Sequence, residues 1–346
     1  MTASMAATKR VVVIEGEDAA PEAMRPTVAL VDRLGLPLEW VRPPVDDVAA
    51  TRAAIDAADA TLFGATSGRS APALFHLRWG RATYANVRPT RWVPGYRSPL
   101  ARPDGVDLVI VRENLEDLYV GAEGDVAALR PLGLTSRFLG RPLADLGPGR
   151  FAIKVITEAG SERVVRFAFA LARRRRRKLT CGAKYNMLPG TDGLFRDVAE
   201  RVARDYPDVA LETFIVDDLA RRLVQSPHDL DVVVLPNLYG DILSDLTAGV
   251  IGGLGLAPSG CYGDDYAYFE PAHGTAPDIA GRGIINPTAT ILSAAMMLEY
   301  LGCAAAAARL AGAVERVYAD GAPLTPDQGG RASTLEFAAA VERYSG

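Results

Sequence analysis

The sequence predicts an α/β protein in which helices pack on the faces of a sheet. Short β-branched runs that end in glycine or polar residues recur along the chain, and helical stretches separate them. A length of 346 residues and a hydrophobic content of 49% are sufficient for two domains or for one large unit with a substantial core.

The alternation begins near the N-terminus. RVVVIEG (10–16) predicts a strand, and PEAMRPTVALVDRLG after it predicts a helix. ATLFGATSG (60–68) and VDLVIVREN (106–114) predict two further strands, because short apolar runs bounded by turn or polar residues are typical of buried strands. The stretch 121–149 is rich in Gly, Pro, Leu and Arg without periodicity, which favours an arm that leaves the sheet.

The second half of the chain continues the pattern. RFAIKVIT (150–157) predicts a strand before an amphipathic helix that runs from Ser161 to Arg175. KLTCGAK, LETFIVDD and DVVVLPN predict three more strands, each followed by a helix or a turn. Residues 287–316 predict two long, alanine-rich buried helices.

Charge and hydropathy exclude several classes of partner. A net charge of −4 gives no general reason to expect nucleic acid or an anionic membrane surface. The basic run RRRRRK (173–178) is a candidate nucleic-acid contact. A solvated helix end explains it better, because cations favour that end of the helix dipole and no aromatic residues are interleaved. No uncharged apolar run reaches membrane-spanning length.

The cysteines and the N-terminal segment indicate a cellular setting. Cys181, Cys261 and Cys303 are far apart and show no CxxC spacing, which predicts a reducing environment without disulfides or a zinc site. The start, MTASMAATKR, lacks the apolar core of a signal peptide and predicts a frayed tail. We therefore expect a soluble, cytoplasmic protein.

Two carboxylates, Asp241 and Asp245, lie on one side of the apolar segment NLYGDILSDLTAGVIGG. If GDILSD opens a helix after Gly240, the i, i+4 spacing puts both side chains on one face. One interpretation makes Asp241 an N-cap and Asp245 an ordinary exposed residue. The other makes both residues ligands of a hard divalent cation, with Asp217 after the strand LETFIV as a third carboxylate.

Three arginines provide the matching chemistry for an anionic substrate. They are Arg78, Arg88 in YANVRP, and Arg112 directly after VDLVIV. Each one alone suits a surface or structural role. Guanidinium groups bind carboxylates bidentately, so a converging set predicts a di- or tricarboxylate whose oxygens complete the coordination of the cation.

Seven separated motifs occur in order along the chain: YANVRP (84–89), SPL (98–100), VRENLEDLY (111–119), AKYN (183–186), NLYGDILSD (237–245), GGLGLAPSG (252–260) and EPAHGTAPDIAGRGIINP (270–287). Together they resemble the metal-dependent β-decarboxylating dehydrogenases, the isocitrate and 3-isopropylmalate dehydrogenase family. The resemblance covers almost the whole chain. It implies that family's two-domain α/β fold, with mixed sheets flanked by helices, rather than a Rossmann domain, and no GxGxxG motif is present.

The resemblance also implies an arrangement of domains. A large, dinucleotide-binding domain would comprise residues 1–97 and 255–346. A small domain, residues 98–254, would carry the metal site, the catalytic lysine, the dimer interface and the arm at 121–149. The active site would lie in the cleft between the domains and be completed by a second subunit. We therefore expect a homodimer, or a higher oligomer, with shared active sites.

Site roles follow from the matched motifs. Tyr119 resembles the catalytic tyrosine and Lys184 the catalytic lysine. The residues that match the malate-binding arginines are Arg78, Arg88 and Arg112, and those that match the ligands of Mg²⁺ or Mn²⁺ are Asp217, Asp241 and Asp245. The implied reaction transfers hydride from C2 to NAD and releases CO₂ from the resulting β-keto acid, with a divalent metal activating the C2 hydroxyl. Lys184 would serve in the base relay and Tyr119 would protonate the enolate.

The segment EPAHGTAPDIAG resembles the loop that carries the adenosine part of the dinucleotide. The residues matched to cofactor binding are His273, Gly274, Thr275, Ala276, Asp278, Ile279 and Asn286. Without the resemblance, a structural or capping role would be the default for His273. Asp278 and Ile279 stand where NADP enzymes of the family tend to place basic and aromatic residues. An aspartate accepts hydrogen bonds from a ribose 2′-OH and repels a 2′-phosphate, which favours NAD.

The variable group of the substrate is expected to contact the segment RSAPALFHLR (69–78). Pro72 and Leu74 replace the serine and asparagine of isocitrate enzymes, and neither side chain can hydrogen-bond a γ-carboxylate. Leu74 and Phe75 resemble the apolar lining of isopropylmalate enzymes, and Met187 stands where the partner subunit adds another apolar wall. The residues assigned to substrate binding beside the arginines are Leu74, Phe75, Asn186 and Met187.

Departures from the family pattern leave alternatives open. Ala71 replaces an acidic residue that isopropylmalate enzymes often carry, and EGEDAAPE replaces the usual GDGIGPE. Polar and basic capacity near the pocket comes from Arg69, Ser70, His76 and Arg81. An anionic side group, as in isocitrate, homoisocitrate or a phosphonomethylmalate, therefore stays open, as does a tartrate- or malate-type substrate. A non-catalytic regulatory subunit is disfavoured, because the lysine, the tyrosine and the aspartates are all retained.

Overall fold

The structure, a computed structural model, describes residues 8–345. Its strands are β1 (Lys9–Ile14), β2 (Leu38–Val41), β3 (Ala60–Phe63), β4 (Ala85–Arg91), β5 (Asp107–Glu113), β6 (Glu123–Asp125), β7 (Arg150–Ala152), β8 (Lys178–Ala183), β9 (Ala210–Ile215), β10 (Val232–Leu235), β11 (Pro258–Tyr262) and β12 (Ala267–Pro271). Its helices are α1 (Ala20–Asp32), α2 (Val48–Asp56), α3 (Ala71–Phe75), α4 (Glu158–Arg173), α5 (Thr191–Ala203), α6 (Val216–Gln225), α7 (Asn237–Ile251), α8 (Thr288–Tyr300), α9 (Ala304–Asp320) and α10 (Thr334–Ser345).

One large sheet organises the molecule. Its strand order is β2-β1-β3-β12-β11-β4-β5-β10-β8-β9. The antiparallel pair β4 and β5 lies inside the sheet and joins a group of strands from both chain ends to a group from the middle of the chain. In the middle group, β5, β10, β8 and β9 all run parallel, so their carboxyl ends lie at the same edge. The prediction of an α/β fold with a mixed sheet flanked by helices is confirmed.

The buried residues form separate clusters on this frame. The largest takes residues from both chain ends, such as Val13 and Val314, and includes α8, α9 and α10. Another takes residues mainly from the middle of the chain, such as Phe169 and Phe195, and includes α4 and α5. The proposed boundaries, residues 1–97 with 255–346 and residues 98–254, stay a prediction.

The segment RFAIKVIT is the clearest difference from the sequence interpretation. Only Arg150–Ala152 is a strand, and it pairs with β6 in a separate two-stranded antiparallel sheet rather than joining the large one. The chain then leaves the strand, and Val155 forms an isolated antiparallel bridge with Asp117. The helix α4 begins at Glu158, not at Ser161, because the Thr157 side chain caps it by accepting the N–H of Gly160 at 3.0 Å.

The basic run at 173–178 also differs from its interpretation as a solvated helix end. Arg175 Nε donates to Asp231 Oδ1 at 2.8 Å, and the backbone N–H of Arg176 donates to the other oxygen at the same distance. The Asp231 side chain is almost completely buried. Because a buried carboxylate is costly without a cation, part of this run has a structural role.

Three observations bear on the expected cellular setting of the chain. None of the helices within residues 8–345 is long and apolar enough to cross a membrane. All three cysteines are free thiols. Of the predicted N-terminal tail, Lys9 and Arg10 belong to β1, and residues 1–7 lie outside the described residues.

Candidate active site

The parallel strands of the middle group position four of the predicted site residues. Arg112 lies at the end of β5, Lys184 follows β8, Asp217 follows β9, and Asp241 lies on α7 just after β10. In α/β proteins, ligands bind outside the carboxyl ends of parallel strands. The direction of these strands therefore puts all four residues at one edge of the sheet.

The start of α7 corrects one interpretation of the sequence. The helix begins at Asn237, one turn before Gly240, so Asp241 is inside the helix and is not an N-cap. The Asp117 carboxylate makes the earlier start possible, because its Oδ2 accepts the N–H of Leu238 at 2.9 Å. A helix leaves its first four N–H groups without helical partners, and this contact satisfies one of them.

Helix α7 keeps the spacing of the two aspartates and lies close to β5. Asp241 and Asp245 are four residues apart on one face. Gly240 permits the close approach, since a Cβ atom there would lie 2.6 Å from Arg112 Cβ. A larger residue at this position would push α7 and its carboxylates away from the strand.

Asp241 is the centre of a hydrogen-bonded cluster. Its Oδ1 accepts a hydrogen bond from Arg112, and its Oδ2 accepts the hydroxyl of Tyr119 at 2.6 Å. Arg88 Nη1 lies 3.5 Å from Asp241 Oδ1 and 3.1 Å from Asp245 Oδ1. Burial by itself would raise the pKa of Asp241, but Arg112, Tyr119 and Arg88 outweigh it and hold that pKa below its usual range. Asp241 is therefore charged at neutral pH.

The pKa values of two neighbours of Asp241 are both raised. Burial raises the pKa of Asp245, and Arg88 only partly offsets this effect. Burial and the hydrogen bond to Asp241 raise the pKa of Tyr119, so its hydroxyl keeps a proton at neutral pH. The structure thus brings together Arg88, Arg112, Tyr119, Asp241 and Asp245 within a single chain.

The three predicted arginines concentrate positive charge beside these carboxylates. Burial, followed by repulsion from Arg88, lowers the pKa of Arg112 to about 10. The Nε–H groups of Arg78 and Arg88 are buried and have no hydrogen-bond partner among residues 8–345. Buried donors in proteins are normally paired, so these two favour a site for an acceptor-rich ligand.

Glu270 is a further carboxylate near the three predicted arginines, and the sequence interpretation does not single it out. It lies near the end of β12, where Arg78, Arg88 and Arg112 all act on its charge. Burial raises the pKa of Glu270, and the three arginines only partly offset the rise. The sequence interpretation places the whole segment EPAHGTAPDIAG in the cofactor loop. The available signal was the position of Glu270 near the end of a strand, where ligands of α/β proteins gather.

Lys184 and Asp217 form a second cluster. They are neighbours because β8 and β9 pair in parallel, with Ala183 opposite Ile215. Lys184 Nζ donates to Asp217 Oδ1, and this contact lowers the pKa of Asp217. The Asp217 side chain is 62% exposed, so the pair faces outward from the chain.

The three predicted metal ligands do not meet within one chain. Among residues 8–345, no group of three or more His, Cys, Asp or Glu side chains is placed to hold a metal ion. Asp241 and Asp245 lie together, whereas Asp217 bonds Lys184. The assignment of Lys184 and Asp217 to the site of a neighbouring subunit stays a prediction.

The predicted cofactor loop is anchored to the start of the chain. The carbonyl of Thr275 accepts the N–H of Ala19 at 3.0 Å. The Glu22 carboxylate accepts the N–H groups of Gly281 and Gly283 at 2.5 and 2.6 Å. These contacts hold both ends of the loop against α1.

The predicted cofactor-binding side chains differ in their exposure and in whether their polar atoms already have hydrogen-bond partners. Burial lowers the pKa of His273, so the ring is neutral, and its Nε2 has no hydrogen-bond partner among the described residues. Asp278 is exposed. Asn286 is buried instead: its amide donates to Tyr318 and Asp327 at 3.0 and 2.9 Å. That observation favours a structural contribution from Asn286, and its cofactor contact stays a prediction.

The residues predicted to line the side-group pocket are partly or largely exposed. Phe75 is more than half exposed and contacts Trp79 edge to face at 5.7 Å between ring centres. Leu74 is half-buried. Asn186 and Met187 lie in the loop that follows β8, the same loop that carries Lys184, and both are exposed.

The four polar residues expected to add polar capacity around this pocket all contact other residues of the same chain. Arg69 Nε donates to Asp46 Oδ1 at 2.6 Å. Ser70 is buried and donates to Glu17. The same Glu17 carboxylate accepts the N–H groups of Ser67, Gly68 and Ser70. The remaining two polar residues, His76 and Arg81, contact Asp56 at 2.9 and 3.3 Å.

The altered opening motif keeps a conformation that usually requires glycine. Asp18, one of its residues, has a left-handed φ of 54°. Aspartate tolerates this region better than most residues, because its short side chain can form local hydrogen bonds. The loss of two glycines from the motif therefore does not prevent this turn.

Comparison with known proteins identifies the family. Residues 43–341 match the isocitrate/isopropylmalate dehydrogenase family. The chain belongs to this family. The members of this family are dehydrogenases that catalyse oxidative decarboxylation.

Individual relatives of this dehydrogenase differ in their substrates. It is 46% identical over 351 residues to the isocitrate/homoisocitrate dehydrogenase of Thermus thermophilus, covering 96% of this chain and 97% of the relative. It is 42% identical over 350 residues to the 3-isopropylmalate/3-methylmalate dehydrogenase of Methanocaldococcus jannaschii, covering 96% and 98%. The crystal structure of isocitrate dehydrogenase from Methylococcus capsulatus matches with a TM-score of 0.84 at 35% identity, covering 97% and 99%.

Proposed function

We propose that this dehydrogenase catalyses the NAD-dependent and divalent-metal-dependent oxidative decarboxylation of a 3-substituted malate, with an alkyl group at C3. The observation that carries the proposal is the cluster of Arg78, Arg88 and Arg112 beside the Tyr119–Asp241 hydrogen bond. Two unfilled guanidinium donors in this cluster suit the carboxylates of a malate.

The aspartates suit a divalent cation. Asp241 and Asp245 are partly exposed, lie on one helix face and offer hard oxygen ligands of the kind that Mg²⁺ and Mn²⁺ prefer. The raised pKa of Asp245 has its largest cause in burial, and the nearby charge of Asp241 adds to it. A bound cation would offset both the burial of the Asp245 carboxylate and its repulsion from Asp241. When bound, it supplies Lewis-acid activation of the C2 hydroxyl. Asp217 of a second copy is the proposed third ligand.

The proton transfers are assigned to two side chains. Tyr119 holds its proton at neutral pH, so it can deliver that proton to C3 after CO₂ leaves. Lys184 of a second copy is assigned to the base relay. Its ammonium pairs with Asp217 within one chain, and a divalent cation bound nearby would favour the neutral amine, which can accept the C2 hydroxyl proton. The arginines hold the malate so that its C2 hydrogen faces the nicotinamide.

Exposed apolar side chains support a homodimer with shared active sites. Phe138 on the arm, Met187 beside Lys184 and Ile242 beside Asp241 are 71%, 52% and 58% exposed. Large apolar side chains are costly to leave in water, and a subunit interface would bury them. A second copy that covered them would also bring its Lys184 loop to this active site.

The cofactor preference is the first expected outcome. Asp278 is exposed in the cofactor loop, so a 2′-phosphate bound there would face a like charge. We expect kcat/KM to favour NAD over NADP by roughly 100-fold. Asp278→Asn keeps the shape of the side chain and removes its charge, so it should reduce this ratio. A wild-type preference for NADP would contradict the assignment of the loop.

The substrate preference tests the proposed function directly. With NAD and Mn²⁺, a panel of 3-substituted malates is followed by NADH absorbance and CO₂ release. An alkyl group buried against Leu74, Phe75 and Met187 should gain about 0.8 kcal/mol per methylene, whereas an unpaired carboxylate there would cost several kcal/mol. We therefore expect 3-isopropylmalate to exceed isocitrate in kcat/KM.

Arg69→Ala separates an alkyl side group from an anionic one. Arg69 already pairs with Asp46, so its loss should change the kcat/KM of an alkylmalate little. An anionic side group that recruited Arg69 would lose most of its kcat/KM in this variant. Asp46→Ala is the matched control, because it removes the same ion pair and leaves the arginine free. Faster turnover of isocitrate than of any alkylmalate would contradict the apolar pocket.

A further inference from the structure

Lys154 lies outside the residues assigned to substrate, metal and cofactor, yet its ammonium is buried between two carboxylates. Nζ lies 2.5 Å from Asp192 Oδ1 and 3.4 Å from Asp117 Oδ1. The Lys154 side chain is 14% exposed, and those of both aspartates are fully buried. Nζ also lies 4.5 Å from the centre of the Tyr239 ring. Within the described part of the chain, Lys154 is the one cation within 4.0 Å of either carboxylate.

Asp117 connects this ammonium to Tyr119 and to α7. It lies two residues before Tyr119 and has a left-handed φ of 69°, which a non-glycine residue adopts only when its surroundings hold it. Its N–H donates to the carbonyl of Val155 at 2.8 Å, and its Oδ2 accepts the N–H of Leu238 at 2.9 Å. Asp117 therefore fixes the turn that carries Tyr119 against the first turn of the helix that carries Asp241.

Asp192 connects the same ammonium to the other proposed catalytic residue. Its Oδ2 accepts the backbone N–H of Lys184 at 2.7 Å, and its own N–H donates to the carbonyl of Leu188 at 3.0 Å. These two contacts close the loop from 184 to 192 against the start of α5. The position of Lys184 thus depends on where the Asp192 carboxylate lies.

We propose that Lys154 is a positioning residue for catalysis, whose ammonium joins Asp117 to Asp192 and so fixes Tyr119 and Lys184 relative to α7. This role rests on the proposed function, which assigns the reaction to Tyr119 and Lys184. Without the cation, two buried carboxylates would share a low-dielectric site with no counter-charge. They would move apart or towards solvent, and each would take its attached backbone with it.

The kinetic test replaces Lys154 by a neutral side chain of similar length. In Lys154→Met, kcat should fall by about 100-fold, because displacing a reacting group by about 1 Å has an effect of that order. KM for the malate should change far less, since none of the three substrate arginines contacts Lys154 within the described residues. Lys154→Arg keeps the charge and should retain more of kcat than Lys154→Met.

A second substitution distinguishes charge balance from lost packing. In Lys154→Met/Asp192→Asn, one buried charge is removed, while the amide oxygen of asparagine can still accept the Lys184 N–H. The double variant should therefore recover at least about tenfold in kcat over Lys154→Met. No recovery would mean that the ammonium does not act through Asp192.

Arg175→Met is the matched stability control. Arg175 pairs with the buried Asp231 at 2.8 Å, so this variant also removes the nearest cation from a buried carboxylate, with Arg176 Nε left at 3.6 Å. Arg175 touches none of the proposed catalytic residues. Both variants should lower the unfolding temperature, but only Lys154→Met should lower kcat at a temperature where each is folded. Equal loss of kcat in the two variants, or wild-type kcat in Lys154→Met, would overturn the proposal.

Amide hydrogen exchange provides a measurement that does not require turnover. Residues 115–120 and 184–192 should exchange faster in Lys154→Met than in wild type or Arg175→Met. If the wild-type enzyme turns over no malate, the proposed function fails, while the exchange rates still test the positioning role. If Lys154→Met does not fold, the same comparison is made with Lys154→Arg and the double variant. Unchanged exchange in both segments would contradict the role of Lys154.

Discussion

Removal of divalent cations is expected to abolish turnover. Asp241 and Asp245 lie together with partly exposed oxygens, and without a cation they present negative charge where an anionic substrate must bind. EDTA treatment should therefore reduce kcat/KM to the background, and added Mn²⁺ or Mg²⁺ should restore it. The measurement is NADH formation as a function of free metal concentration.

The aspartates themselves provide a sharper form of this prediction. Asp241→Asn keeps the side-chain volume but removes the charge, so the metal concentration for half-maximal rate should rise by about 100-fold or more. Asp217→Asn should have a similar effect if Asp217 completes the site. Asp218→Asn is the matched control: it is the next residue on α6, and its carboxylate pairs with Arg221 and Arg222 instead. Full activity after exhaustive chelation would contradict the proposed metal site.

Mixing two inactive variants is expected to restore activity. Lys184→Ala and Tyr119→Phe should each lose about 10²- to 10⁴-fold in kcat, because each removes a proton-transfer group. In one chain, Lys184 bonds Asp217 and Tyr119 bonds Asp241, and among residues 8–345 no hydrogen bond or ion pair joins the two pairs. If each site takes its lysine from a second copy, every hybrid dimer contains one intact site. Random exchange of equal amounts would then restore about one quarter of the wild-type activity.

The controls for this mixing experiment use the same substitutions. Lys184→Ala mixed with the double variant Lys184→Ala/Tyr119→Phe should stay inactive, because no hybrid dimer contains an intact lysine. Subunit exchange is verified independently by mass spectrometry of differently tagged chains. Absence of recovery despite proven exchange would place Lys184 and Tyr119 in the same chain's site.

The sequence by itself determined the elements and much of the site's chemistry. Alternating apolar runs predicted the α/β class because strand and helix periodicity are local properties. The same runs placed Arg112 and Asp217 at strand ends, and the spacing of Asp241 and Asp245 put them on one helix face. The motifs identified the family. Each of these features depends on residues that are near one another in the chain.

Only the tertiary structure decided which charges are paired. Arg69 bonds Asp46, 23 residues away, and Arg88 approaches Asp245, 157 residues away, and neither pairing leaves a pattern in the sequence. Lys154 belonged to a predicted strand, but the fold turns that segment away from the sheet and buries its ammonium between Asp117 and Asp192. A charged residue is neutralised by whatever the fold brings within a few ångströms, so its role depends on packing rather than on its neighbours in sequence.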